Sequence, residues 1–145
     1  YGLADVLHQV AERKIPLLGI CLGLQLLFES SEESPGKAGL GILPGRIMRI
    51  PSGPGLKIPH MGWNSLEIKP QSRLFKGIES GAYVYFVHSY YLQAENEGLV
   101  AATACYGVQI HAAVEQGNVF GCQFHPEKSS RIGLGILKNF LELEA

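Results

Sequence analysis

Leu3, Val6, Leu7 and Val10 recur at the i, i+3, i+4, i+7 spacing of a helix with one buried face, and Pro16 forbids its continuation. Leu17-Leu18-Gly19-Ile20 follows as a short, wholly apolar run, the pattern of a strand covered on both faces in a parallel sheet. Leu22 to Phe28 reads as a second helix. From Glu29 to Gly41 the residues turn polar and rich in Ser and Gly, with a Pro at position 35, as in a surface loop. Strand patterns then recur at Arg46–Ile50, Ser65–Ile68, Ala82–Val87, Leu99–Cys105, Val108–Glu115 and Val119–Phe124, separated by Gly, Pro or Asn turn signals. A closing helix over Ser130–Leu143 places Ile132, Ile136, Leu137 and Phe140 on one side. This order predicts one domain over residues 1–145 with an α/β fold: an open, mostly parallel sheet flanked by helices and carrying additional antiparallel strands.

Composition narrows the classes open to such a fold. Hydrophobic residues make up 46% and charged residues 17% of the 145, too apolar for a disordered chain, and no apolar run is long enough to span a bilayer. The 12 basic and 13 acidic residues are dispersed, so nothing concentrates the positive field that a nucleic-acid backbone requires. Neither a membrane nor a nucleic acid is expected as partner. Cys21, Cys105 and Cys122 form no C-x-x-C pair and leave an odd thiol, which fits a reducing, cytoplasmic compartment. With the histidines they show none of the short paired spacings of structural zinc, and no metal or cofactor is expected.

Gly19-Ile20-Cys21-Leu22-Gly23 has the G-x-nucleophile-x-G layout between a buried strand and a helix, the context that motif requires. A nucleophile on such a bend sits in strained backbone, and the flanking glycines are expected to avoid Cβ clashes where strand and helix approach. A helix N-terminus favours thiolate, lowering a free thiol pKa of about 8.5 to roughly 3.5–7.5, and the Leu22 N–H can serve an oxyanion. Alone, Cys21 also fits a small buried residue with glycines serving packing.

A base stands at the other end of the chain. The Val119–Phe124 strand runs into His125-Pro126-Glu127, and in extended backbone residues i and i+2 face the same way. A carboxylate beside one ring nitrogen fixes the tautomer and leaves the other nitrogen to take a proton from a thiol. Singly, His125 also fits a turn histidine and Glu127 a solvated helix-start carboxylate. His8, His60 and His111 have no adjacent acid and are expected in surface or packed roles.

Pro16 to Gln25 and Gln123-Phe124-His125-Pro126-Glu127 together resemble the two signatures of class I glutamine amidotransferases, in the family's order. Phe28–Glu33, Gly39-Leu40-Gly41, Pro59–Asn64 and Val87–Tyr91 resemble the imidazole glycerol phosphate synthase branch of that family. The resemblance implies a flavodoxin-like core and glutamine as substrate, with Cys21, His125 and Glu127 as a triad. It implies Leu22, Gln25, Glu33, Ser89 and Tyr90 as glutamine-binding positions, with backbone contacts at Ser89 and Tyr90. It also implies a (β/α)₈-barrel synthase as heterodimer partner, met by His60, Met61, Gly62, Trp63 and Asn64, with Tyr85 and Lys128 near the ammonia exit. Unaided, the residue type alone would place Trp63 inside.

The family begins with further strand and helix units and a Gly-rich loop that supplies a second oxyanion donor. Tyr1 is neither an initiator Met nor the start of a signal peptide, so the domain is expected to be N-terminally truncated. Such a chain would be a weak glutaminase that tends to associate, since one lost oxyanion donor costs about 10²–10³ in rate. The alternatives are an amidotransferase serving GMP, anthranilate or carbamoyl phosphate synthesis, a cysteine hydrolase acting on another amide or ester, and an interaction module that has lost turnover.

Overall fold

The computed structural model describes residues 2–143. The chain runs α1 (Leu3–Glu12), β1 (Leu17–Ile20), α2 (Leu22–Leu26), β2 (Ser30–Ser31), β3 (Gly45–Arg49), β4 (His60–Ser65), β5 (Glu67–Ile68), β6 (Tyr83–His88), β7 (Tyr90–Ala94), β8 (Val100–Cys105), β9 (Gln109–Gln116), β10 (Val119–Cys122) and α3 (Ser130–Leu141). Short 3-10 turns precede β8, at Glu97–Leu99, and α3, at Pro126–Lys128.

The main sheet has five strands in the order β1-β10-β9-β8-β5. β1 lies parallel to β10, with Leu17 opposite Val119 and Ile20 opposite Cys122. The other ladders of this sheet are antiparallel, because tight turns join β8 to β9 and β9 to β10 and reverse the chain each time. β2, β3 and β7 form a second sheet, and β4 pairs antiparallel with β6. The fold is thus mixed α/β. Among the described residues its parallel pairing lies in β1–β10 and β2–β3, and the additional antiparallel strands form the rest. β4, β7 and the two-residue β2, which lies within the expected loop, escape the sequence patterns. In β4, His60, Gly62 and Asn64 alternate with Met61, Trp63 and Ser65, so neither face reads as apolar.

Alternation along β10 feeds two clusters. Phe120 and Cys122 face one with Phe86, Ile110, Phe124 and Ile136 of α3, all fully buried. Val119 faces the other with Leu24 of α2, Phe28, Ile47 and Leu92. Burying each such Phe, Ile or Leu contributes about 1.5–3 kcal/mol. These two layers clamp the sheet ends that carry Cys21 and His125.

Two burial expectations are corrected. The helix at α1 forms, yet none of its residues is buried, and Leu3 and Val6 are exposed. β1 was expected to be covered on both faces. It is an edge strand among the described residues, and of its four residues only Gly19 is buried.

Candidate active site

Cys21 is the bend itself. It caps α2 with φ 53° and ψ −104°, a positive φ that costs a residue bearing a Cβ roughly 1–3 kcal/mol. Its N–H donates to the Cys122 carbonyl at 2.8 Å, so the β1–β10 ladder persists to the last residue before the turn. A Cβ at Gly19 would stand 2.6 Å from the Gly23 carbonyl carbon, which explains the glycine at that position. At Gly23 the same test meets open space, so the expected steric need holds for Gly19 and not for Gly23.

The Cys21 sulfur lies 3.9 Å from the Val87 carbonyl oxygen and accepts from the Gln123 side-chain amide at 3.5 Å. Burial pushes the thiol above its ordinary value, the Leu22 N–H and the Gln123 amide pull it down, and the Glu127 and Glu33 carboxylates push it up. The net direction is upward, opposite to the expected thiolate. α2 has only five residues, so its dipole is small, and loss of solvent outweighs it.

His125 Nδ1 lies 3.0 Å from Glu127 Oε2. The carboxylate can only accept, so Nδ1 carries the proton and Nε2 of the neutral ring is free to act as a base. The route to this pair differs from the expected continuous strand. β10 stops at Cys122, His125 is extended at φ −99° and ψ 99°, and Glu127 reaches back from the 3-10 turn. The turn is pinned by Ser129, a fully buried residue whose hydroxyl donates to the His125 carbonyl at 2.6 Å and accepts from the Tyr85 N–H at 2.9 Å. The His125 N–H donates to the Tyr85 carbonyl at 3.0 Å. Sequence reading missed Ser129, whose only signal is a serine at a helix start, although it makes no side-chain cap bond there.

Cys21 and His125 thus follow the C-terminal ends of neighbouring parallel strands, one residue beyond β1 and three beyond β10, though 104 positions apart in sequence. The thiol and the imidazole share no hydrogen bond in this structure, a looseness common at catalytic pairs without substrate.

Leu22, Gln25 and Glu33 line one cleft of about 200 Å³, with Ser31 and Lys37. Gln25 is tied inward, donating to the Tyr90 carbonyl at 3.2 Å and to Gln123 Oε1 at 3.0 Å. Ser89 and Tyr90 lie outside this cleft, and the Ser89 carbonyl accepts from the Ile50 N–H at 2.9 Å. The predicted partner-facing segment is split by strand alternation. Met61 and Trp63 are 62% and 53% exposed, contrary to the packed position that residue type alone suggests for Trp63. His60 is buried, a correction forced by its place on the opposite face of β4, and Asn64 donates inward to the Cys105 carbonyl at 2.9 Å. Gly62 follows with φ 122°. Tyr85 is half-buried with its ring edge-on to Trp63 at 5.8 Å, and Lys128 is exposed on the turn after His125. No helix among the described residues is long and apolar enough to cross a membrane.

A cysteine on a strand-to-helix bend, beside a strand that delivers a His–Glu pair, defines an α/β protein of the cysteine-dependent acyl-transfer class. Solved structures carry this arrangement further: a glutamine amidotransferase crystal structure superposes with a TM-score of 0.71 at 26% identity, covering 98% of this chain and 68% of that one. The glutamine amidotransferase class-I family model matches residues 2–143, and the chain belongs to that family. It is 54% identical over 142 residues to imidazole glycerol phosphate synthase subunit HisH of Moorella thermoacetica, covering 98% of this chain and 67% of that protein. To the subunit of the same name from Thermosynechococcus vestitus it is 52% identical over 143 residues, covering 97% and 68%. The structure of PurLQS from Thermotoga maritima, 24% identical with a TM-score of 0.70 over 96% of this chain and 66% of that one, shares the fold. The chain spans about two thirds of the length of these curated relatives.

Proposed function

We propose that this chain is the glutaminase of an imidazole glycerol phosphate synthase, hydrolysing glutamine and passing ammonia to a (β/α)₈-barrel synthase subunit in the cytoplasm. Cys21 attacks the glutamine carboxamide carbon while His125 Nε2 takes the thiol proton. The Leu22 N–H donates to the oxyanion, and His125 returns its proton to the departing ammonia, leaving a glutamyl thioester. Water, deprotonated by the same ring, then releases glutamate and restores the thiol. Burial raises the Cys21 thiol above its ordinary value, which adds to the demand for a base to take its proton. Leu22, Gln25 and Glu33 form the glutamine cleft, with the Tyr90 carbonyl holding Gln25, and Ser89 and Tyr90 contribute backbone contacts to glutamine. Met61 and Trp63 meet the synthase, and Tyr85 with Lys128 borders the ammonia exit.

The observation that carries this reading is the His125–Glu127 pair, 3.0 Å apart, on the turn that follows the strand paired with β1 before the Cys21 bend. The test is labelling with a glutamine-mimicking electrophile, followed by glutamine hydrolysis with added barrel synthase and its nucleotide substrate. Modification confined to Cys21, with Cys105 and Cys122 spared, and a rise in hydrolysis on adding the synthase are expected. Equal labelling of all three thiols sinks the glutamine site, and a flat response sinks the partner.

A further inference from the structure

Gln123 is 0% exposed, with Cys122 and Phe124, also fully buried, on either side. A primary amide in such a place is costly unless every polar atom is bonded, and a Met of similar size would pack there without that demand. Its oxygen accepts from Gln25 at 3.0 Å, and its nitrogen donates to the Cys21 sulfur at 3.5 Å.

We propose that Gln123 holds the Cys21 sulfur for reaction, and that it is positioned by two hydrogen-bonded branches that meet at the Tyr90 carbonyl, one through Gln25 and the other through His88 and His60 of the outer strand β4. This rests on Cys21 being the nucleophile.

The direction of the chain follows from one atom that can only accept, the Tyr90 carbonyl oxygen. Gln25 Nε2 faces it at 3.2 Å, so this end of Gln25 is the NH₂ group. The second Gln25 proton then points at Gln123 Oε1, which leaves the Gln123 NH₂ against the sulfur. Turning Gln123 over would set two NH₂ groups face to face. Turning Gln25 as well would press two carbonyl oxygens together at Tyr90.

The other branch is equally determined. His88 Nδ1 lies 2.7 Å from the same carbonyl oxygen and carries a proton, so its Nε2 accepts. His60 Nδ1, 3.0 Å from that Nε2, must donate, and its own Nε2 accepts from the Asn64 amide at 3.4 Å. The His60 ring is stacked between Phe86 and Tyr106, with centroids 4.6 and 3.9 Å away. Burial lowers both histidines to about 4, so neither ring is cationic at neutral pH and each keeps its one proton where the chain needs it.

The network therefore reaches from His60, one residue from Met61 and on the opposite face of the strand that bears the exposed Trp63, through the shared Tyr90 carbonyl to the reacting sulfur. Gln123 touches that sulfur, while His88 and His60 are positioning residues that act through it. The negative charges of Glu127 and Glu33 both oppose thiolate at this sulfur. The amide donor counters them as negative charge develops.

The test is the pH dependence of Cys21 alkylation by iodoacetamide, read on the Cys21 peptide by mass spectrometry, which needs neither glutamine nor synthase. Gln123→Met is expected to raise the midpoint by on the order of one pH unit, a rate about tenfold lower below the midpoint. His88→Phe is expected to raise it by a smaller amount, with Cys105 alkylation unchanged in both. An unmoved midpoint in Gln123→Met overturns the proposal, and an unmoved midpoint in His88→Phe overturns the chain beyond Gln25. If Gln123→Met fails to fold, Gln25→Met, at a half-buried position, carries the same expectation and the same refutation. Failure of the nucleophile reading is separate, since it appears as wild-type Cys21 refusing the glutamine-mimicking electrophile.

Discussion

Glu127 holds the His125 ring from a 3-10 turn, its Oε2 3.0 Å from Nδ1, while Ser129 ties the His125 carbonyl to the Tyr85 amide behind it. The base is thereby oriented by two neighbours that follow it within four residues, and the strand only delivers it. Because the carboxylate is about half exposed, solvent and salt moderate its hold on the ring.

Replacing Glu127 by Gln keeps the shape of the pair and removes the charge that stabilises the imidazolium. Glutaminase kcat is expected to fall by roughly 10²-fold, less than the about 10⁴-fold seen where such an acid is buried, with KM nearly unchanged. Steady-state kinetics decide it, and a large rise in KM with kcat intact would place Glu127 in binding instead.

Cys21→Ser leaves the bend but supplies a far weaker nucleophile to the same base. Glutamine hydrolysis is expected to drop by about 10³-fold or more. A melting temperature close to that of the unaltered chain would show that the loss is chemical. Retained turnover would remove Cys21 from the mechanism.

The buried His60 and His88 make stability depend on acid. Their folded values, lowered to about 4 from 6.5, mean that the unfolded chain binds protons in that window which the folded chain refuses. Their contribution is therefore complete above pH 6.5 and declines as pH falls towards 4, by roughly 1.4 kcal/mol for each unit of separation. Urea midpoints at neutral and acid pH measure this, and His88→Gln is expected to lose less on acidification. An equal acid loss in that variant assigns the effect elsewhere.

Core and α1 substitutions are expected to diverge. Ile136→Ala, at a fully buried position, costs about 2–5 kcal/mol, whereas Val6→Lys on the uncovered face of α1 stays within about 0.5 kcal/mol. Denaturant midpoints compare the two directly, and a large loss at Val6 would mean that α1 is covered in solution.

Trp63→Ala removes an exposed indole that leans edge-on against Tyr85. Folding stability is expected to change little, while affinity for the synthase falls by about 2 kcal/mol or more, as at an aromatic anchor. Calorimetric titration of the two subunits checks this, and unaltered affinity would move the interface off β4.

The local half of this architecture was legible. The apolar run at Leu17–Ile20, the glycine at 19, the cysteine after Ile20 and the His-Pro-Glu triplet are short-range signals: the strand and the bend form where the pattern placed them, while the strand's cover and the 3-10 turn that carries Glu127 do not follow from it. What was not legible depends on partners far along the chain. Gln25 meets Gln123 across 98 positions and the Tyr90 carbonyl across 65, so neither glutamine carries a local mark of its place beside the sulfur. Residue type alone would place Trp63 in the interior, and only the resemblance places it on a partner-facing segment. Its real position follows from the β4–β6 register, which sets His60 against His88 and turns the next side chain outward. The state of the Cys21 thiol was misjudged for a similar reason, since a motif announces a helix end but not how deeply the sulfur is covered.

That cover also limits the access of oxidants to the thiol. Peroxides attack thiolate and carry it to sulfenic acid and beyond, while a neutral thiol reacts sluggishly. With its sulfur half-sheltered at the bend, Cys21 is a poor target between turnovers, and the solvent-facing Cys105 meets oxidant first.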